Sequence, residues 1–224
     1  MLDDAESGRF RRPPGPPAVV WGLTLVFVLF EAAFQISEAT GWAGELRWTV
    51  YKELAFFDFI FDPELADIAV PVSYYATLAT HAMLHGGPLH LLMNSAIFLA
   101  LGGMLANGLG VARFYALFFG SAVGGALFFA AMSDAIGPLV GASGGIFGFF
   151  GALKRWELRW MNETGAPKRR LYSTIIVLVV INVLLAFAGP GEGDVAWEAH
   201  LGGFVFGWLL APMVAPGRSA PSPI

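Results

Sequence analysis

The sequence predicts an all-α, polytopic membrane protein: a bundle of six transmembrane helices with a long first extracytoplasmic loop, part of it embedded in the membrane. Three observations predict it. Of the 224 residues 56% are hydrophobic and only 13% charged, with a mean hydropathy of +0.64, whereas a soluble domain carries about 25% charged residues. The charged residues fall in clusters between long apolar runs. Those runs approach the roughly 20 residues needed to cross a hydrocarbon core.

Each span follows from its run. The first extends from about Ala18 to Ile36, behind a Pro-rich tail of mixed charge. A long loop with acidic and aromatic residues then runs from Ser37 to about Thr80. Span two covers about Leu89 to Asn107, span three Arg113 to Met132, and span four Ala142 to Trp156. Span five covers Leu171 to Ala188 and span six Val195 to about Val214. Span four is short, so it is expected to start below the surface, at the end of an inward-dipping loop. Residues 18–214 thus form one domain, and the tails 1–17 and 215–224 are expected to be disordered.

Lys and Arg orient the spans. Arg9, Arg11, Arg12, Arg113, the six basic residues from Lys154 to Arg170, and Arg218 all fall on one side if every span crosses. The other side holds Arg47 and Lys52, with none around Asp134 or Glu192. Both termini are therefore expected in the cytoplasm; a bacterial cytoplasmic membrane is the expected location, which the charge distribution itself does not specify. The first apolar run is too long, and lacks the small-residue site, for a cleavable signal. There is no cysteine, hence neither a disulfide framework nor a cysteine-based metal site.

Polar residues inside such spans are costly and mark function by default. Ser143, in Gly141-Ala142-Ser143-Gly144-Gly145, opens span four, and His200, in Ala199-His200-Leu201-Gly202-Gly203, lies early in span six. Serine and histidine are the minimal nucleophile and base of acyl transfer. His90 and Asn94 stand in the first turns of span two, at i, i+4 spacing and so on one helix face. Spans two, four and six all run from outside to inside, which places these four residues in one stratum beneath the outer, extracytoplasmic face. His90 and Asn94 are either oxyanion donors or interhelical glue. His81 and His85 share the same spacing, but Ala82 stands where a zinc protease has Glu, and the two are expected to hydrogen-bond the buried part of the first loop. Glu31 in span one and Asn182 in span five are expected to make structural hydrogen bonds.

The stretch Thr80-His81-Ala82-Met83-Leu84-His85-Gly86-Gly87-Pro88-Leu89-His90-Leu91-Leu92-Met93-Asn94 resembles the signature of rhomboid intramembrane serine proteases. Gly141-Ala142-Ser143-Gly144 resembles that family's nucleophile motif, and Ala199-His200 with Gly203 and Gly207 resembles its base-bearing last helix. The resemblance covers residues 18 to 214 and implies a rhomboid-like bundle with a Ser-His dyad and no third acid. It implies Ser143 as nucleophile, His200 as base, and the Ser143 N–H with His90 and Asn94 as oxyanion donors. Gly141 would allow close approach of backbone to substrate, and Gly203 and Gly207 would press span six on span four. Phe147 stands where the family commonly has a tyrosine stacked on the histidine, and Thr77-Leu78 where it often has Trp-Arg; Arg47-Trp48 occurs earlier, in reversed order. Span five and the Gly189-Pro190-Gly191 loop would form the substrate gate.

The expected activity is hydrolysis of peptide bonds in or near transmembrane segments of other membrane proteins. The implied partners are those substrates and the lipid bilayer. No cofactor, metal or nucleic acid is implied, and no feature of the sequence specifies an oligomeric state. The alternatives are a catalytically inactive rhomboid-like scaffold that binds transmembrane helices, and a transporter or metal carrier built on His81, His85 and His90. The first is disfavoured by the presence of both serine and histidine, the second by the lack of acidic partners along the spans.

Overall fold

The computed structural model describes residues 15–61, 71–133, 137–188 and 195–215. The tails expected to be disordered lie outside these, apart from residues 15–17 and 215, as do Asp134, Glu192 and Gly189-Pro190-Gly191. Every regular element among the described residues is helical. The long helices are α1 (Ala18–Thr40), α4 (Pro88–Leu109), α5 (Val111–Met132), α6 (Ser143–Thr164), α7 (Arg169–Ala188) and α8 (Trp197–Leu210). Two short ones, α2 (Leu46–Leu54) and α3 (Thr77–Thr80), belong to the long loop. Among the described residues, α1, α4 and α5 are long and apolar enough to cross a membrane.

Helix α1 runs four residues past the expected Ile36, to Thr40, and two helices differ more in length. Helix α6 continues beyond Trp156 to Thr164 because its polar end is stitched by Lys154–Glu157 and Arg159–Glu163 pairs at i, i+3 and i, i+4. Such pairs support an exposed helix that hydropathy does not register. Helix α8 has 14 residues, about 21 Å at 1.5 Å per residue, because Val195 and Ala196 are not helical and residues 211–213 form a turn.

The outside of the bundle is apolar: Trp21, Leu25, Leu29, Leu92, Met93, Ile176 and Leu184 are all exposed. Water would penalise such a surface; lipid does not. The interior is held by shape. Phe27, Phe98, Phe114, Phe118 and Phe149, from α1, α4, α5 and α6, are fully buried, with edge-to-face contacts such as Phe98–Phe118 at 5.1 Å between centroids. Such pairs contribute about 0.5–1.5 kcal/mol beyond area burial. Where α8 meets its neighbours, glycine replaces the aromatic filling. A Cβ on Gly203 would run into the Gly144 carbonyl, one on Gly207 into Gly148, and one on Gly202 into Gly124 of α5. The backbone of α8 is therefore wedged directly between α5 and α6.

The long loop is pinned at three places. Arg47 on α2 forms a two-pronged pair with Glu31 of α1, Nη2 to Oε1 at 3.0 Å and Nη1 to Oε2 at 3.0 Å, and its Nε donates to Glu38 at 2.6 Å. Glu31 is thus partnered by a loop cation 16 residues away. Thr80 Oγ1 donates to the Leu54 carbonyl at 2.8 Å, closing the loop on itself. An isolated antiparallel bridge between Phe56 and Leu139 joins it to the segment entering α6.

Candidate active site

Ser143 is the first residue of α6, where backbone N–H groups have no intrahelical acceptor and the helix dipole is positive. The approach to it requires glycine. Gly141 has φ +127°, and a Cβ there would lie 2.8 Å from Cε1 and Nε2 of His90 and 3.7 Å from Asn94 Nδ2. The strand-like segment before Ser143 therefore passes directly beneath the two polar side chains of α4. Its position is set from the loop, because Gly141 N–H donates to the His81 carbonyl at 3.1 Å.

The hydrogen bonds define the histidine tautomers. Gly86 N–H donates to His90 Nδ1 at 3.3 Å, so neutral His90 carries its proton on Nε2, the atom facing Gly141. Asn94 Nδ2 is buried, with no hydrogen-bond partner among the described residues. Two N–H donors thus converge on the backbone next to Ser143. His81 Nδ1 approaches the Thr77 carbonyl at 3.0 Å, and burial lowers its pKa to about 4, which keeps it neutral. His85 is buried too, and burial, with His90 nearby, lowers its pKa to about 3. The hydrogen bonding expected of its ring is not made: neither ring nitrogen has a partner among the described residues. Its carbonyl is the anchored group, accepting from Arg47 Nη1 at 2.9 Å and Tyr51 OH at 2.8 Å, while its ring meets His90 edge-on at 5.2 Å.

On the other side, the glycine contacts bring α8 against the start of α6. The Ala199 carbonyl lies 3.4 Å from the Cβ position of Gly144, so the neighbours of Ser143 and His200 abut. His200 is buried and stacks on Phe147, with centroids 4.3 Å apart and planes 6° from parallel. Phe147 lies four residues after Ser143, on the same face of α6, so the imidazole covers the face that carries the serine. No hydrogen bond joins Ser143 Oγ to His200 among the described residues.

Asn182 of α7 plays a part that the sequence did not reveal. Its Oδ1 lies 2.6 Å from His200 Nδ1, and its Nδ2 donates to the Trp197 carbonyl at 3.3 Å. The carbonyl contact fixes the amide orientation, so Oδ1 is the acceptor and Nδ1 carries the proton. In neutral His200 the free lone pair is then on Nε2. A lone asparagine in the middle of an otherwise apolar span was the available signal; its partner could not be read from spacing.

Fold and site together define an all-helical integral membrane protein with a serine, a histidine and clustered N–H donors at the ends of its helices. Residues 73–217 match the Rhomboid domain, and the chain belongs to the rhomboid family. It is 29% identical to RHOMBOID-like protein 5 of Arabidopsis thaliana over 220 residues, covering 89% of this chain and 69% of that protein. It is 34% identical to RHOMBOID-like protein 4 of the same plant over 131 residues, which is 57% of this chain and 31% of that protein. With Rhomboid protease GluP of Bacillus subtilis (strain 168) it shares 29% identity over 134 residues, 60% of this chain and 25% of that protein. The chain thus spans about a quarter to two thirds of the length of these relatives.

Proposed function

We propose that this chain is an intramembrane serine endopeptidase that cleaves peptide bonds in or near transmembrane segments of other membrane proteins. Six helices, α1 and α4 to α8, cross the bilayer with both termini in the cytoplasm; the distribution of Lys and Arg supports this topology. Ser143 Oγ attacks the scissile carbonyl while His200 Nε2 takes its proton, forming a tetrahedral oxyanion. The Ser143 N–H, His90 Nε2–H and Asn94 Nδ2–H receive the negative charge where it develops. His200 then protonates the leaving amine, and water, deprotonated by the same nitrogen, releases the acyl group. A helical substrate must unwind first, because its carbonyls are otherwise hydrogen-bonded. The observation that carries the reading is the His200–Phe147 stack one turn from Ser143. The loose Ser143–His200 geometry is common for catalytic pairs before substrate arrives.

The test is cleavage of a single-span substrate by purified protein in detergent or liposomes. Wild-type protein is expected to cleave, and Ser143→Ala and His200→Ala to lose activity on the order of a million-fold, with Ser143→Ala keeping the wild-type melting temperature. Cleavage that survives Ser143→Ala would exclude this mechanism, and a well-folded wild type inert against a panel of substrates would favour a binding scaffold.

Gly141→Ala probes the oxyanion side. The new Cβ would sit in a backbone region that costs about 1–3 kcal/mol for residues other than glycine and would push His90 from its place. A fall in kcat of about a hundredfold is expected, the scale of a displaced catalytic group, with KM little changed in the same cleavage assay.

A further inference from the structure

We propose that Asn182 is a positioning residue for the base, fixing His200 in the Nδ1–H tautomer and tying the orientation of its ring to the placement of α7. The inference rests on the dyad proposed above. A base must present a lone pair to the serine, and an imidazole whose Nδ1–H is held by an acceptor presents Nε2. Asn182 supplies that acceptor at 2.6 Å, and its own orientation is locked by Nδ2 donating to Trp197, three residues before His200 on α8. The asparagine therefore clamps the first turn of α8 at two points. Phe147 restrains the ring by its face, which fixes the ring plane but does not distinguish the two orientations related by a 180° flip about Cβ–Cγ, since both leave the ring in that plane. Such a flip would exchange the ring edges and spoil the presentation of Nε2. The Asn182 bond selects one of the two, so the stack sets the plane of the ring and the bond sets which edge faces the serine.

The position of Asn182 adds a consequence. Helix α7 is mostly exposed, with Ile176, Val177, Val180, Val183 and Leu184 facing outward. Among the described residues, its side-chain hydrogen bonds to another helix are both made by Asn182. Any displacement of α7 from α8 therefore releases the base from its acceptor, and the site is fully oriented only while α7 is seated.

Three variants and two readouts test this. Asn182→Ala is expected to lower kcat about ten- to hundredfold, the cost of a misoriented reacting group, with KM within about threefold. Asn182→Asp keeps an acceptor and adds charge, so it should recover activity above neutral pH. It should also move the acid limb of the kcat/KM profile up by about one unit or more, since a nearby carboxylate favours imidazolium. Asn182→Leu should behave like Asn182→Ala. If Asn182 served helix packing alone, Asn182→Leu would keep activity and Asn182→Asp would show no recovery over Asn182→Ala. The second readout needs no turnover: with 15N-labelled histidine and His200→Gln for assignment, His200 should show the Nδ1–H tautomer in wild type and lose it in Asn182→Ala. Wild-type activity and tautomer persisting in Asn182→Ala would overturn the proposal while leaving the dyad intact. Loss of cleavage by every form, with the tautomer shift preserved, would instead remove the proposed activity and keep the Asn182–His200 link.

Discussion

Replacing Gly203 with valine is expected to prevent the bundle from assembling. A Cβ at this position would lie 2.7 Å from the Gly144 carbonyl carbon and 3.0 Å from its Cα, and nearer still to its oxygen. These are backbone atoms, which cannot rotate aside, so α8 would have to withdraw from α6 as a whole. It has no room to do so. On its other side Gly202 lies against the Gly124 carbonyl and Phe128 of α5, and a shift that relieves one contact tightens the other. Overpacking in an adaptable core costs about 1–3 kcal/mol; here both escape routes end in backbone, so about 4 kcal/mol or more is expected, against a total stability of about 5–15. Gly203→Ala should show part of the effect and Gly203→Val the whole, as a graded fall in melting temperature and in monodisperse protein after extraction. Gly22→Ala on α1 is the matched control, since a Cβ there meets nothing within 4 Å. A melting temperature for Gly203→Val within a few degrees of wild type would show that α8 can move, contrary to this packing. His200 lies one turn before Gly203 and Phe147 one turn after Gly144, so even Gly203→Ala should disturb the stacked ring and cost activity.

That contact illustrates what a sequence can and cannot reveal. Gly203 and Gly207 were recognisable as a small-residue face, because four-residue spacing defines one side of a helix. That Gly202 packs on the opposite neighbour was not, since it depends on which helices flank α8. The starts of α1, α4 and α6 lay within one residue of expectation, set by Pro17, Pro88 and Gly141 at the edges of apolar runs. The loop helix α2 was not foreseen. Its residues mix Arg, Trp, Tyr, Lys and Glu, a composition that suits a surface and gives no span signal. Long-range polar pairs were the least accessible. Glu31–Arg47 and Asn182–His200 each join residues 16 or 18 positions apart on different helices, and each residue alone reads as a costly polar group seeking a partner.

The first of those pairs carries the other large expected effect. Arg47→Met should destabilise the protein by about 3–5 kcal/mol, the cost of leaving one member of a buried ion pair uncompensated. Glu31 is 2% exposed and Arg47 21%, so the bidentate contact is shielded from water; Glu38, 47% exposed, adds little. The guanidinium also sits 4.8 Å above the Phe34 ring. Burial opposes its charge, yet the bonds to Glu31, Glu38 and Tyr51 outweigh this and raise its pKa, so it stays a cation at any working pH. The pair matters beyond stability because Arg47 Nη1 also holds the His85 carbonyl. The next residue, Gly86, donates the hydrogen bond that sets the tautomer of His90. Releasing the loop should therefore blur the donor set facing Gly141, and kcat is expected to fall more than KM rises. Removing both partners separates these effects. Glu31→Leu with Arg47→Met leaves no buried charge unpaired and should recover most of the stability lost by Arg47→Met alone, while the rate stays low because the His85 carbonyl still lacks its cation. A double-mutant cycle read by thermal unfolding and by cleavage rate should show strong coupling in the first and weak coupling in the second. Additive losses of stability would mean that Glu31 and Arg47 do not act as a pair, and full recovery of the rate would mean that the loop anchor does not reach His90.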